Sequence, residues 1–240
     1  MPDSTTGSAA RAGISGAELE AKVLAMAERA RQRDHEKPSE TAAQHSLDGE
    51  AWRIDRELKI ALVPDVYRAA EWDKVRSPAI RQWTLAIVAR TQRGRMANPA
   101  LLGHGMLILG PTGTGKSSAA ALACRAAIEA ERTVRWTYVP DLVDRMSSGA
   151  KERLHEIRMQ TAVDLLVWDD FGVRDLAEWE IGYLDQIVEG RSRALKPMIV
   201  TSNWTSGDIK NDVRLARLVD RWRQRTASQL VVLSGESMRG

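Results

Sequence analysis

The sequence predicts an α/β fold, a three-layer αβα arrangement around a five-stranded parallel sheet. Five short apolar runs alternate with helical segments between residues 106 and 234; a glycine-rich turn follows the first run, and a pair of aspartates closes the third. Strands that are apolar along their whole length are buried on both faces. Strands separated by helices pair in parallel through right-handed crossovers.

Taken in order, residues 1–14 are rich in Ser, Thr, Gly and Ala and read as a disordered tail. Ser15-Gly16-Ala17-Glu18 has the capping-box pattern, and Leu19, Val23, Met26 and Ala30 then share one side of a 3.6-residue repeat. A short amphipathic helix ending near Arg33 is expected. The polar stretch 34–50, with Pro38 and Gly49, reads as a linker, so residues 15–50 form a candidate partner-docking segment. The main domain is expected over residues 51–240. Its strands are expected at residues 106–110, 133–139, 165–169, 198–202 and 229–234, and its helices at 116–131, 141–146, 152–161, 176–195 and 212–225. Few residues follow the fifth strand, so no C-terminal lid subdomain is expected.

Composition narrows the class. The 240 residues suffice for one α/β domain with an extension. The formal net charge of +3 permits nucleic-acid binding without arguing for it. A single cysteine, Cys124, precludes an intrachain disulfide and reads as a small core residue. His35, His45, His104 and His155 lack ligand-like spacing, which argues against a zinc site. No apolar run reaches the length of a membrane span, and the N-terminus lacks the apolar centre of a secretory signal. A cytoplasmic protein with no membrane partner is expected.

The strongest motif is Gly110-Pro111-Thr112-Gly113-Thr114-Gly115-Lys116-Ser117, which matches G-x-x-x-x-G-K-[ST]. Its glycines let backbone amides curl around phosphate oxygens, and the following helix aims its positive end at the same anion. Lys116 is expected to reach the outer phosphates of ATP, with Ser118 continuing the cradle, and the Ser117 hydroxyl to hold Mg²⁺. The apolar run Leu165-Leu166-Val167-Trp168 ends in Asp169-Asp170. Asp169 is the expected metal partner through water, and Asp170 the group that orients or deprotonates the attacking water. Ile199-Val200-Thr201-Ser202-Asn203 is a strand ending in an amide that could fix that water; a turn-capping Asn is the plainer reading. Arg214, Arg217, Arg221 and Arg225 fall within a stripe of roughly 80° on one helix face. A solvated basic face is one reading. An arginine reaching a neighbouring subunit's ATP, with others on DNA phosphates, is the second.

With these residues in hand, the chain resembles the AAA+ P-loop ATPases of the bacterial or phage helicase-loader and transposition-helper group, DnaC-like and IstB-like, over about residues 60–240. The likeness rests on Val63-Pro64-Asp65-Val66-Tyr67-Arg68 as a lead-in, Leu165 to Gly172 (LLVWDDFG) as the metal-site strand, Thr201-Ser202-Asn203, and the closing Gly235-Glu236-Ser237-Met238-Arg239. The resemblance implies slow ATP hydrolysis stimulated by DNA or a partner, ATP-dependent homo-oligomers, and a trans-acting arginine at Arg217, with Arg221 as the alternative. It implies single-stranded DNA and a replicative helicase as partners, or target DNA and a transposase in the helper reading. A small-molecule phosphotransferase is the remote alternative. Two departures stand out: Trp168 replaces the usual aliphatic, and Asp170 stands where most AAA+ proteins carry Glu. Trp204 and Trp222 either pack in the core or stack on bases.

Overall fold

The computed structural model describes residues 40–88, 104–205, 207, 208, 216, 219, 220, 222 and 229–234. The expected tail and first helix, the four arginines, and the closing motif at 235–239 lie outside the described residues; of the helix expected at 212–225, residues 216, 219, 220 and 222 are described and helical. The chain divides into two units, residues 1–50 and 51–240; the second contains everything discussed below except the start of the first helix.

That helix, α1 (Glu40–Ile60), corrects the reading of residues 34–50 as linker, because it begins inside that stretch. Gly49 and the polar composition hide it in the sequence. Its register becomes plain only further on, where Ile54 and Leu58, one turn apart, are buried in the main core. The chain continues through the one-turn helix α2 (Asp65–Arg68), a 3₁₀ turn (Trp72–Lys74) and α3 (Pro78–Val88).

The sheet follows. Its strands are β1 (Met106–Leu109), β2 (Val134–Tyr138), β3 (Leu165–Asp169), β4 (Met198–Ser202) and β5 (Gln229–Val232), in the order β2-β3-β4-β1-β5 with every pairing parallel. This is the expected P-loop NTPase sheet, with helices α4 (Lys116–Glu129), α5 (Val139–Ser147), α6 (Ala150–Ala162) and α7 (Glu178–Arg193) in the crossovers. α5 starts two residues before its expected position, since Pro140 in its first turn has a backbone angle already suited to a helix.

Alternate strand residues feed two cores. Met106, Ile108, Leu165, Val167 and Ile199 pack with α1, α3 and the alanine-rich α4. Leu107, Leu109, Leu166, Trp168, Met198 and Val200 pack with α5, α7 and Trp222. Cys124 lies buried in the first core, as expected. Trp168 is fully buried, stacked on Phe171 at 6.1 Å between ring centroids and 5.9 Å from Trp222. Its indole N–H donates to Gln160 Oε1 at 3.1 Å, so the large residue before the acidic pair has both its face and its polar edge accommodated.

The C-terminal end of α6 is held by two cations. Arg191, with no exposed surface, donates to the carbonyls of Gln160, Val163, Asp164 and Pro197 at 2.6–3.0 Å, and the Lys196 ammonium donates to those of Thr161 and Ala162. The last carbonyls of a helix have no partner within it and carry partial negative charge, so cationic donors fit there. Arg191 thereby fastens α6, β3 and β4 together at the end of the sheet opposite the motif loops.

Candidate functional site

The loop after β1 is built on a sterically closed point. A Cβ at Gly110 would lie 2.3 Å from the Leu233 carbonyl oxygen, which excludes any side chain. The Gly110 N–H donates to Ser202 O at 3.2 Å, and the buried Thr114 donates its hydroxyl to Pro111 O at 2.8 Å. Gly115 caps α4 at φ 87, and the first intrahelical bond runs from Ala119 N–H to Gly115 O. The amides of Lys116, Ser117 and Ser118 precede that bond, so they belong to the turn that a helix offers to an anion.

Three strands converge on this loop. Lys116, almost wholly buried, donates from Nζ to Gly110 O at 2.7 Å, to Pro111 O at 2.8 Å and to Asn203 Oδ1 at 2.8 Å. Ser117 donates its hydroxyl to Asp169 Oδ1 at 2.8 Å. The loop after β1 is thus bonded to the ends of β3 and β4, and Asn203 engages the loop lysine. Asp170 follows Asp169 in a left-handed conformation, φ 55, which turns the second carboxylate away from the strand direction of the first.

These groups bound a cleft of about 700 Å³. Thr112, Gly113, Gly115, Lys116, Ser117 and Ser118 form its floor, Asp170 and Asn203 one wall, and Val66 and Tyr67 the other. Gly110, Pro111 and Thr114 brace the loop from behind, and Asp169 lies beneath it, only 5% exposed. The wall formed by Val66 and Tyr67 was missed in the sequence, which offered those residues only as a lead-in. Three bonds carry it to the cleft: Trp136 N–H to Ala61 O at 2.7 Å, Arg68 Nε to Val63 O at 2.9 Å, and Arg125 of α4 to Arg68 O. The Tyr67 ring packs on Trp136 at 5.8 Å.

Burial pushes the Asp169 carboxyl above the usual carboxylate range. The hydroxyls of Thr201 and Ser117 act against that rise, the neighbouring Asp170 charge adds to it, and Lys116 opposes it. Tyr138, which ends β2 opposite Asp169 in register, has its phenol pushed up by burial and then by Asp170, Asp141 and Asp169. Two acidic groups crowded at a buried edge favour a cation. The donors here are oxygens only, a hydroxyl and carboxylates, and that set suits Mg²⁺. Among the described residues no cluster of three or more His, Cys, Asp or Glu side chains forms a metal cage.

Trp204 packs rather than standing free. Its ring meets Phe171 edge-on at 5.2 Å, and its indole N–H donates to Gly172 O at 3.2 Å. Trp222 is buried against Trp168 and Phe171. Among the described residues no helix is long and apolar enough to cross a membrane.

The architecture is shared with solved structures of replication proteins. The crystal structure of DnaI is similar at a TM-score of 0.59 and 19% identity, covering 73% of this chain and 94% of that one. A putative primosome component from Streptococcus pyogenes serotype M3 is similar at 0.55 and 24%, covering 73% and 92%. The replication initiator DnaA, bound to AMPPCP and single-stranded DNA, is similar at 0.52 and 20%, covering 66% of this chain. The chain spans 45% of the length of that initiator, and 45% of a DNA replication initiation factor that it also matches. No curated protein matches. A family profile described as IstB-like ATP binding protein matches residues 18–240, and with the phosphate loop, Asp170 and Asn203 arranged around one cleft, the chain belongs to that ATP-binding family.

Proposed function

We propose that this chain hydrolyses ATP and uses the cycle to help place a replicative helicase on single-stranded DNA. The observation that carries the hydrolytic part is the joining of three strand ends by two bonds, Lys116 to Asn203 and Ser117 to Asp169, each 2.8 Å long. The backbone amides of the loop and of the first turn of α4 bind the phosphates. Lys116 leaves the carbonyls of Gly110 and Pro111 for the outer phosphates. The Ser117 hydroxyl spends its proton on Asp169, so its lone pairs remain for a cation. Ser117 and Asp169 would hold a Mg²⁺ ion there, and that ion would supply charge neutralisation to the phosphates. Asp170 takes a proton from the attacking water as the new bond to the γ-phosphorus forms and the bond to the bridging oxygen breaks, leaving ADP and phosphate. Asn203 orients that water.

The replication part is supported by likeness of fold to DnaI and to a putative primosome component, and by the Thr201-Ser202-Asn203 and Gly235-x-Ser237-x-Arg239 motifs. In this reading ATP joins copies of the chain into an oligomer in the cytoplasm, and Arg217, or Arg221, completes the neighbouring site. The family to which the chain belongs favours a second reading, a transposition helper that presents target DNA to a transposase. One experiment tests both: phosphate release with single-stranded DNA, duplex DNA or neither, each with and without a replicative helicase. The loader reading expects stimulation by single strands and by the helicase. Stimulation by duplex alone favours the helper, and no response to either DNA contradicts both.

A further inference from the structure

β4 is buried along its whole length, and Thr201 has no exposed surface. A hydroxyl in such a place is costly unless its proton and its lone pairs are both used. Thr201 uses both: Oγ1 donates to Asp169 Oδ1 at 2.6 Å and accepts the Asp170 N–H at 3.1 Å. Its carbonyl accepts the Phe171 N–H at 2.9 Å. The register between β3 and β4 runs no further than Trp168 opposite Val200. Beyond it, a single residue of β4 holds three successive residues of the neighbouring segment.

Those three residues form the turn that divides the acidic pair. Asp170 adopts φ 55, which a residue with a side chain rarely does without support. A left-handed turn carries the Asp170 N–H out of the ladder direction, and the Thr201 hydroxyl receives it. Meanwhile Asp169 Oδ1 takes two hydroxyl protons, from Thr201 and from Ser117 at 2.8 Å. Two donors on one oxygen fix the plane of the carboxylate, and Oδ2 carries neither.

We propose that Thr201 is the positioning residue of the hydrolytic site. Its hydroxyl sets the plane of Asp169 for the cation and holds the turn that aims Asp170 into the cleft. The proposal rests on the reading of that cleft as a Mg²⁺–ATP site. Thr201, fully buried and not among the residues that line the cleft, acts through the two aspartates. Its neighbour Ser202 points its hydroxyl elsewhere, donating to Phe171 O at 2.7 Å and accepting the Trp204 N–H at 3.1 Å. A valine matches threonine in shape, so packing alone does not require the hydroxyl.

The test compares the full chain with Thr201→Val, which removes the hydroxyl, and Thr201→Ser, which keeps it. ATP hydrolysis is measured against ATP and against Mg²⁺ concentration, binding of a fluorescent ATP analogue is measured with Mg²⁺ and with EDTA, and thermal unfolding is followed alongside. Thr201→Val is expected to lose about 10- to 100-fold in kcat, as for a misplaced catalytic group. It should also need several times more Mg²⁺ for half-saturation, with analogue binding in EDTA unchanged. Thr201→Ser should stay near wild type in all three. Equal losses in the two variants overturn the proposal, as does a valine variant with unaltered kcat and Mg²⁺ requirement. If wild type binds Mg²⁺–ATP but releases no phosphate, the hydrolytic reading of Asp170 fails on its own. The Mg²⁺-dependent gain in analogue affinity then decides for Thr201: a smaller gain in the valine than in the serine variant supports it, and equal gains overturn it. If Thr201→Val does not fold, Thr201→Cys replaces it, because a thiol is a weak donor. A cysteine variant that behaves like the serine variant overturns the proposal.

Discussion

Gly172→Ala is the substitution whose cost can be worked most fully from the structure. Gly172 follows the acidic turn at φ 81, and a Cβ built there would lie 2.0 Å from Trp204 Cζ2 and 2.1 Å from Cε2. The indole cannot swing away cheaply, since it packs edge-on against Phe171 and its N–H is bonded to the Gly172 carbonyl itself. The left-handed backbone costs an alanine about 1–2 kcal/mol, and forcing a methyl into a filled site costs about 1–3 kcal/mol more. The sum, roughly 2–5 kcal/mol, corresponds to a fall in Tm of roughly 4–20 °C for a domain of this size. Urea unfolding followed by far-UV circular dichroism measures it without relying on tryptophan emission. A cycle with Trp204→Leu separates the two parts: once the ring is gone, Gly172→Ala should cost only the backbone share, leaving a coupling of about 1–3 kcal/mol. A Gly172→Ala variant within about 0.5 kcal/mol of wild type would refute the packing argument. So would a cycle with no coupling, since the clash would then lie elsewhere.

Arg191→Met should destabilise the chain by about 3–5 kcal/mol in the same urea assay, because four carbonyls lose their donor, and Arg191→Lys should recover only part of it. Glu156 gives the pH dependence. Burial pushes its carboxyl up, but bonds and charge from Arg145, a bond from Gln160 and the charge of Arg135 outweigh that and leave it below the usual range. A carboxyl whose pKa is lower folded than unfolded stabilises fully above the unfolded value, and that stability disappears as pH falls through the folded value. Thermal stability should therefore drop from about pH 5 downward, and Glu156→Gln should flatten the profile while being less stable at neutral pH. A Glu156→Gln profile parallel to wild type would remove Glu156 from that account. Lys116→Ala should abolish analogue binding with Mg²⁺ in protein whose far-UV circular dichroism shows that it is folded; a variant that still binds would deny the lysine its phosphate role.

The sheet was legible because β1 is an apolar run, β3 and β4 each open on one, and the phosphate loop anchors the first. Asp169 and Asp170 stood out because they close the run of β3, and Asn203 because it follows the end of β4. What escaped depends on contacts between distant segments. Residues 40–50 lack an apolar repeat, so the start of α1 was hidden. Val66 and Tyr67 become a wall only because Ala61 is bonded to β2 and Arg68 to α4. Thr201 reads as an ordinary strand residue until its hydroxyl is seen between the two aspartates. Trp204 could have faced bases or core, and Gly172, whose missing side chain makes room for it, settles it beside Phe171.

The most direct measurement sets ATP binding and phosphate release side by side for wild type and Asp170→Asn in the same Mg²⁺ buffer. The arrangement of the cleft predicts that the variant binds ATP within about threefold of wild type and hydrolyses it roughly 100-fold or more slowly, the loss expected for a missing general base. Hydrolysis at the wild-type rate in Asp170→Asn would contradict the assignment of that carboxylate, and a wild-type chain with no affinity for Mg²⁺–ATP would contradict the whole account.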